Sequence, residues 1–123
     1  MVTEIGLKEV QKGILANTII LLDVRGASEL HFGMLPGAHH LPLEEVEDAL
    51  GLLPKIFQKK YRFAKFSKKD CLVFYCRTGH RSKIAAHIAA SKGFYAKNYL
   101  GSIWEWSKID PSVKRYGPSP AYF

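Results

Sequence analysis

Apolar positions along this chain follow two patterns. In "TIILLDV" (Thr18–Val24) and "CLVFY" (Cys71–Tyr75) they run without a break, and branched or aromatic residues dominate. Unbroken runs of that length fit strands buried on both faces, as in a parallel sheet. Elsewhere the apolar residues recur at helical spacing. Leu7, Val10 and Ile14 predict a helix over Ile5–Leu15. Leu43, Val46 and Leu50 share one side of "LEEVEDALGLL", with acids on the other and Gly51 near the end. Pro54 can open a helix through "KIFQKKYR". "SKIAAHIAASKG" places Ile84, Ala85, Ile88 and Ala89 on one face and closes at Gly93, a suitable helix terminator.

The remaining elements are short. A turn-rich stretch containing Gly26, Gly33, Pro36 and Gly37 is expected to hold a short helix, Ser28–Phe32, capped by Ser28, and a short strand near Ala38–Leu41. "AKNYL" reads as a strand and "SIWEWSK" as a short helix. The segment after Lys108 contains three prolines and is expected to be irregular. Strands thus alternate with helices, which implies an α/β fold with a mainly parallel central sheet and helices on both faces. Active sites in such folds sit beyond the carboxyl ends of the strands. "LLDVRG" and "VFYCRTGHRS" both fall there.

Composition adds bounds. At 123 residues and 47% hydrophobic, the chain suits one domain with a core that needs no staples. It holds no apolar run near the ~18 residues of a membrane span. The first residues include Glu4 and Glu9 and resemble neither a secretory signal nor a typical presequence. Cytoplasm is the expected compartment, with the mitochondrion as the alternative, and no membrane partner is expected. A net charge of +7 favours anionic partners. The basic residues thicken between Lys59 and Asp70, where Tyr61, Phe63 and Phe66 alternate with them. That pattern resembles a nucleic-acid patch, but no recognised motif accompanies it. A solvated loop anchored by its aromatics is the expected reading, and nucleic acid is not an expected partner.

Cys71 and Cys76 are five positions apart on one predicted strand. Their α carbons would then be about 16 Å apart and on opposite faces, too far for a disulfide, which needs less than about 7 Å. Two free thiols fit a reducing compartment. The histidines form no metal pattern; adjacent residues such as His39 and His40 face opposite ways on a strand. No metal or organic cofactor is expected.

Cys76 stands where a strand turns into a helix, and Arg77, Thr78, Gly79, His80, Arg81 and Ser82 follow it. Gly79 permits a tight turn or a positive φ. Such a loop can aim several backbone N–H groups into one hollow, and the helix start and the basic side chains add positive potential. A sulfur there is placed to act as a thiolate nucleophile facing an anion pocket. Arg81, at the loop's end, can hold the loop by bonding carbonyls or carboxylates, or bind substrate oxygens. Cys71 lacks these neighbours and reads as a packed, inert thiol, and His87 as a surface or packing residue.

"LLDVRGASEL", "LPGAHHLPL", "VFYCRTGHRSKIAA" and "GFYAKNYLGSIWEW", taken in order, resemble a single-domain rhodanese, a thiosulfate sulfurtransferase. The resemblance spans about Ile5 to Lys108, and the Pro54–Asp70 segment is similar to the small stand-alone sulfurtransferases of eukaryotes. It implies a three-layer rhodanese-like domain over 1–108, with 109–123 as an irregular tail. It implies that Cys76 takes up sulfane sulfur as a persulfide and that Arg77 through Ser82 surround that sulfur. Asp23 and Arg25 would support the site, and Trp106 would be a packing tryptophan. The donor would be a small anionic sulfur compound such as thiosulfate. The acceptor would be cyanide, glutathione or thioredoxin, and the protein a monomer. Two positions depart from the family pattern: Met34 stands where a histidine is usual, and Ser102 where a second glycine is usual. Related phosphatases and arsenate reductases of this fold carry an arginine six residues after the cysteine. Here Arg81 is fifth and Ser82 sixth, a shorter loop that suits sulfur transfer. A phosphatase, an arsenate reductase and a non-catalytic protein-binding module are the rival readings.

Overall fold

The computed structural model describes residues 2–120; Met1 and the last three residues of the predicted tail lie outside the described residues. Five strands form one sheet in the order β1-β5-β4-β2-β3: β1 (Thr3–Ile5), β2 (Ile20–Asp23), β3 (His39–His40), β4 (Cys71–Tyr75) and β5 (Tyr95–Tyr99). Every pairing is parallel. The two oily runs, β2 and β4, are central, where both faces are covered.

Side-chain alternation divides the core into two layers. Leu22, Leu72, Phe74 and Ala96 face one way and meet α2 (Leu43–Leu50), α3 (Pro54–Tyr61) and α4 (His80–Ser91). Leu21, Val73, Tyr75 and Tyr99 face the other way and meet α1 (Leu7–Ala16) and α5 (Ser102–Trp106). The result is three layers, as expected. Trp106 packs in the second layer and donates to Asp110 Oδ2 at 2.9 Å. Among the described residues, no helix is long and apolar enough to cross a membrane.

Several local expectations shift. The reading ran a helix from Ile5, but Thr3–Ile5 is a strand paired with Lys97–Tyr99, and Gly6 separates it from α1. Three residues are too few to show a period. The expected Ser28–Phe32 helix is a 3-10 helix, Ala27–Phe32, and Gly26 rather than Ser28 precedes its first turn. Glu29 drives this: its N–H donates to Gly26 O at 3.0 Å and its Oε1 accepts the Gly26 N–H at 3.1 Å. On α4, Ile84 is exposed, and the packed face is Ala85, Ala86 and Ala89 with Ile88 alongside. Gly93 closes α4 as predicted, at φ +88°, with Gly93 N–H bonded to Ala90 O and Phe94 N–H to Ala89 O.

The basic segment is anchored from inside. Phe57 on α3 is fully buried and meets Phe63 and Phe66 edge-on, with ring centroids 5.1 and 5.6 Å apart. Phe63 stacks on His39 at 4.0 Å. Lys65 donates to the carbonyls of Leu50 and Leu52, which ties the loop to the end of α2.

Phe57→Ala should cost about 3–5 kcal/mol in folding stability, because the cavity cannot collapse among three other rings. Ile84→Ala should change it by less than about 0.5 kcal/mol. Urea unfolding of the two variants checks the contrast.

Candidate active site

β4 delivers its last residue, Tyr75, fully buried, and Cys76 follows at 1% exposure. The turn into α4 is tighter than the sequence suggested. α4 begins at His80, so Arg81 and Ser82 belong to its first turn and not to the loop. Gly79 makes the reversal at φ +92°. A Cβ there would collide with the carbonyl oxygen of Leu100, so the position accepts no side chain.

This turn points the Gly79 N–H at the Cys76 sulfur, 3.1 Å away. Ser82 Oγ lies 3.4 Å from the same sulfur. The sequence suggested several converging loop amides; the Gly79 N–H is the backbone donor that reaches Sγ. Because α4 starts early, the N–H groups of His80, Arg81 and Ser82 precede the first intrahelical bond, Lys83 to Gly79 O. Among the described residues none of the three finds a protein acceptor, as at a helix start, where such groups carry positive potential.

The backbone of Cys76 is held from the opposite side. Its N–H donates to Ser102 Oγ at 3.1 Å, and its carbonyl accepts from the Ile103 N–H at 3.0 Å. The Trp104 N–H holds the Arg77 carbonyl at 2.9 Å. Ser102 is fully buried at φ +50°, a conformation that favours glycine, and its hydroxyl donates to Tyr99 O at 2.8 Å. The departure from glycine thus supplies the Cys76 amide with a partner.

Ser82 donates to Asn98 Oδ1 at 2.6 Å. Asn98 is fully buried on β5, and its Nδ2 donates to Gly79 O at 3.2 Å and Glu4 Oε2 at 3.3 Å, which fixes the amide's orientation. The sequence assigns Asn98 no role and marks Ser102 only as a departure from the family pattern. An asparagine in a short strand carries no periodic signal, and its burial shows only in the fold.

Asp23 and Arg25 stand at the end of β2, both fully buried. Arg25 donates to Asp23 through Nε and Nη2, with Nη2 to Oδ2 at 2.7 Å, and caps the carbonyls of Gly33 and Glu29. Burial opposes this charge, but Asp23 and Tyr116 hold the guanidinium above the usual arginine range. The pair braces the neighbouring strand end and makes no bond to Cys76. Met34, at the other departure, is half-buried next to Gly33.

Arg81 makes a two-pronged pair with Glu29, Nη1 to Oε1 at 2.6 Å and Nη2 to Oε2 at 2.9 Å. Its fork is therefore engaged with a carboxylate. Arg77 is half-buried and donates from Nη1 to the carbonyls of Tyr116 and Pro118. Thr78 is half-buried and His80 exposed at the mouth, beside a hollow of about 220 Å³ lined by Glu4, Gly79, His80, Lys83 and Leu100. A second hollow of about 270 Å³ lies at the other end of β4 beside Cys71, whose thiol is pushed up by burial. The Gly79–Cys76 contact, not hollow size, marks the chemical site. His39 packs on Phe63, and His40 bonds Arg25 O at 2.7 Å. No cluster that could hold a metal occurs among the described residues.

A family model described as "Rhodanese-like domain" matches residues 6–109. A mouse protein, "Thiosulfate sulfurtransferase/rhodanese-like domain-containing protein 3", is 43% identical over 110 residues, 88% of this chain and 70% of that protein. A human "Thiosulfate:glutathione sulfurtransferase" is 36% identical over 83% of this chain and 90% of its own length. Among solved structures, the human single-domain sulfurtransferase TSTD1 superposes with a TM-score of 0.85 at 34% identity, covering 89% of this chain and 99% of that one. The Saccharomyces cerevisiae single-domain sulfurtransferase RDL2 gives 0.80 at 31% identity, over 93% and 96%. Fold and relatives define the class as sulfurtransferase. The chain belongs to the rhodanese-like family.

The Arg81 pair and the Tyr116 hydroxyl hold the Glu29 carboxyl down from the ordinary 4.5 to about 2, against the opposing effect of burial. A carboxylate with a depressed folded-state pKa stabilises the fold fully above its unfolded value, and that contribution disappears as pH falls through the folded value. The stability difference between wild type and Glu29→Gln should therefore be constant above pH ~4.5 and shrink between ~4.5 and ~2. Urea midpoints across that range check it; a difference independent of pH would contradict the pairing.

Proposed function

We propose that this protein moves sulfane sulfur from thiosulfate, or another persulfide-type donor, to a thiophilic acceptor through a persulfide on Cys76. The observation that carries the reading is the Gly79 N–H held 3.1 Å from the Cys76 sulfur at the start of α4. A donor aimed at a sulfur in a nearly closed turn suits an added sulfur atom.

The mechanism is two-step covalent catalysis. The Cys76 thiolate attacks the outer sulfur of thiosulfate. The bond between the two thiosulfate sulfurs breaks, and sulfite leaves with the electron pair. The outer sulfur of the new persulfide then lies toward the amides of His80–Ser82, which favour its negative charge. An acceptor thiolate attacks that outer sulfur; the Cys76–S bond breaks and the Cys76 thiolate is regenerated. Glutathione is the acceptor named for one human relative, and we assign a small thiol of that kind here. Thioredoxin and cyanide complete the same step, cyanide giving thiocyanate. No metal or organic cofactor enters the scheme.

In this reading Arg77 and Thr78 line the donor's approach with His80, and Ser82 steadies the sulfur from inside. Asp23, Arg25 and Arg81 shape the site without touching the substrate. The phosphatase and arsenate reductase readings need a guanidinium facing the loop interior. Ser82 occupies that sixth position, and Arg81 is bound to Glu29. The two unpaired cysteines suit a reducing compartment. The cytoplasm is the simplest, while two yeast relatives carry mitochondrial names. We take 1–108 as the rhodanese domain, with the irregular tail after it, and the protein as a monomer.

Cys76→Ser should abolish thiosulfate-to-cyanide sulfur transfer while leaving the circular dichroism spectrum intact. Peptide mass spectrometry of thiosulfate-treated wild type should find about 32 Da added at Cys76 and none at Cys71. Turnover of phosphate esters without turnover of thiosulfate would transfer the case to the rival enzymes.

A further inference from the structure

The family match ends at residue 109, yet the chain beyond it returns to the site. Val113 is buried in the second core layer, and the Lys114 N–H donates to Phe32 O at 2.8 Å. The Tyr116 ring stacks on Phe32, with centroids 4.1 Å apart and planes 8° from parallel. From this seat Tyr116 reaches the charged groups around the Cys76 turn. Its hydroxyl donates to Glu29 Oε2 at 2.6 Å and accepts from Arg25 Nη1 at 3.1 Å. Burial and Glu29 push that hydroxyl up to about 12, so it remains a donor at neutral pH. Its carbonyl accepts from Arg77 Nη1 at 2.9 Å, and Pro118 O accepts from the same nitrogen at 2.9 Å. The Arg77 guanidinium also lies 5.8 Å from the Tyr116 ring centre and 5.7 Å from that of Trp104.

Mechanical support of the Cys76 turn does not require these bonds, because the Ile103 and Trp104 amides already hold its carbonyls. What the tail adds falls on side chains. A free arginine samples many rotamers, and fixing it in advance lowers the cost of each later hydrogen bond. Here two carbonyls and two rings hold the side chain of the residue that directly follows the nucleophile. Both bonds leave from Nη1, and neither uses Nη2 or Nε, the edge that matches two oxygens of one anion.

We propose that Tyr116 is a positioning residue: with the strap Val113–Pro118 it holds Arg77 as a fixed fork for the oxygens of a small anionic donor. The assignment rests on the sulfur-transfer reading for the donor's identity. The fork itself is independent of it and selects anionic over neutral reagents at Cys76.

The test compares wild type, Tyr116→Phe and Tyr116→Ala. Two quantities are measured: kcat/KM for thiosulfate, and the ratio of Cys76 alkylation rates by iodoacetate and iodoacetamide, read on the Cys76 peptide. Losing the ring and the hydroxyl should lower kcat/KM about tenfold, and losing the hydroxyl alone about threefold. The iodoacetate-to-iodoacetamide ratio should fall by similar factors, because only the charged reagent uses the fork. Melting followed by circular dichroism confirms that each variant is folded, and Tyr116→Phe decides the matter if Tyr116→Ala is not. An unchanged ratio in a folded variant overturns the assignment. So does an equal slowing of both reagents, which is what a merely structural strap would give. If wild type takes no sulfur from thiosulfate, the sulfur-transfer reading fails, and the alkylation ratio still decides the role of Tyr116.

Discussion

The bond from the Gly79 N–H to the Cys76 sulfur exists because the chain must reverse within three residues after a strand buried on both faces. β4 cannot continue, since its alternating side chains fill both core layers up to Tyr75. α4 cannot start later, since Ala85, Ala86 and Ala89 must meet the sheet. The turn between them takes a positive φ, and only glycine fits under the Leu100 carbonyl. Packing thus fixes the turn, and the turn fixes an amide on the sulfur.

Around this contact the polar groups are arranged in two shells of different purpose. Ser82, Asn98 and Ser102 lie inside the protein and are all fully buried. No buried side-chain nitrogen or oxygen among the described residues lacks a partner. Unpaired, such groups would each cost ~1–3 kcal/mol. The charged groups are paired among themselves: Arg25 with Asp23, both fully buried, and Arg81 with Glu29, both partly exposed. Buried ion pairs are poor evidence of stability, because desolvation offsets much of their attraction. Their bidentate geometry does fix where each guanidinium points. Arg81 is committed to the Glu29 carboxylate for that reason.

The sequence made legible whatever followed a period or a motif. Two unbroken apolar runs located β2 and β4, and Cys76 with Gly79 marked the turn. The Asp23–Arg25 pair came from the family resemblance alone. The boundaries of α4 were missed by two residues because Gly79, a helix breaker, also serves as its N-terminal flank. β1 was missed because a three-residue strand is defined by its partner, β5, and not by its own composition. Asn98 and Ser102 acquire meaning only through the Ser82 hydroxyl and the Cys76 backbone N–H, 16 and 26 positions away. Tyr116 lies in a proline-rich stretch that reads as loose, and its order derives from Phe32, Glu29 and Arg25, about 90 residues earlier.

The central claim concerns one amide and one sulfur, so amide NMR addresses it most directly. On adding a stoichiometric amount of thiosulfate, the largest changes should fall on Gly79 and on His80–Ser82, as a second sulfur enters the turn. Changes centred on Cys71, or a Gly79 signal that does not move while sulfite is released, would contradict the account.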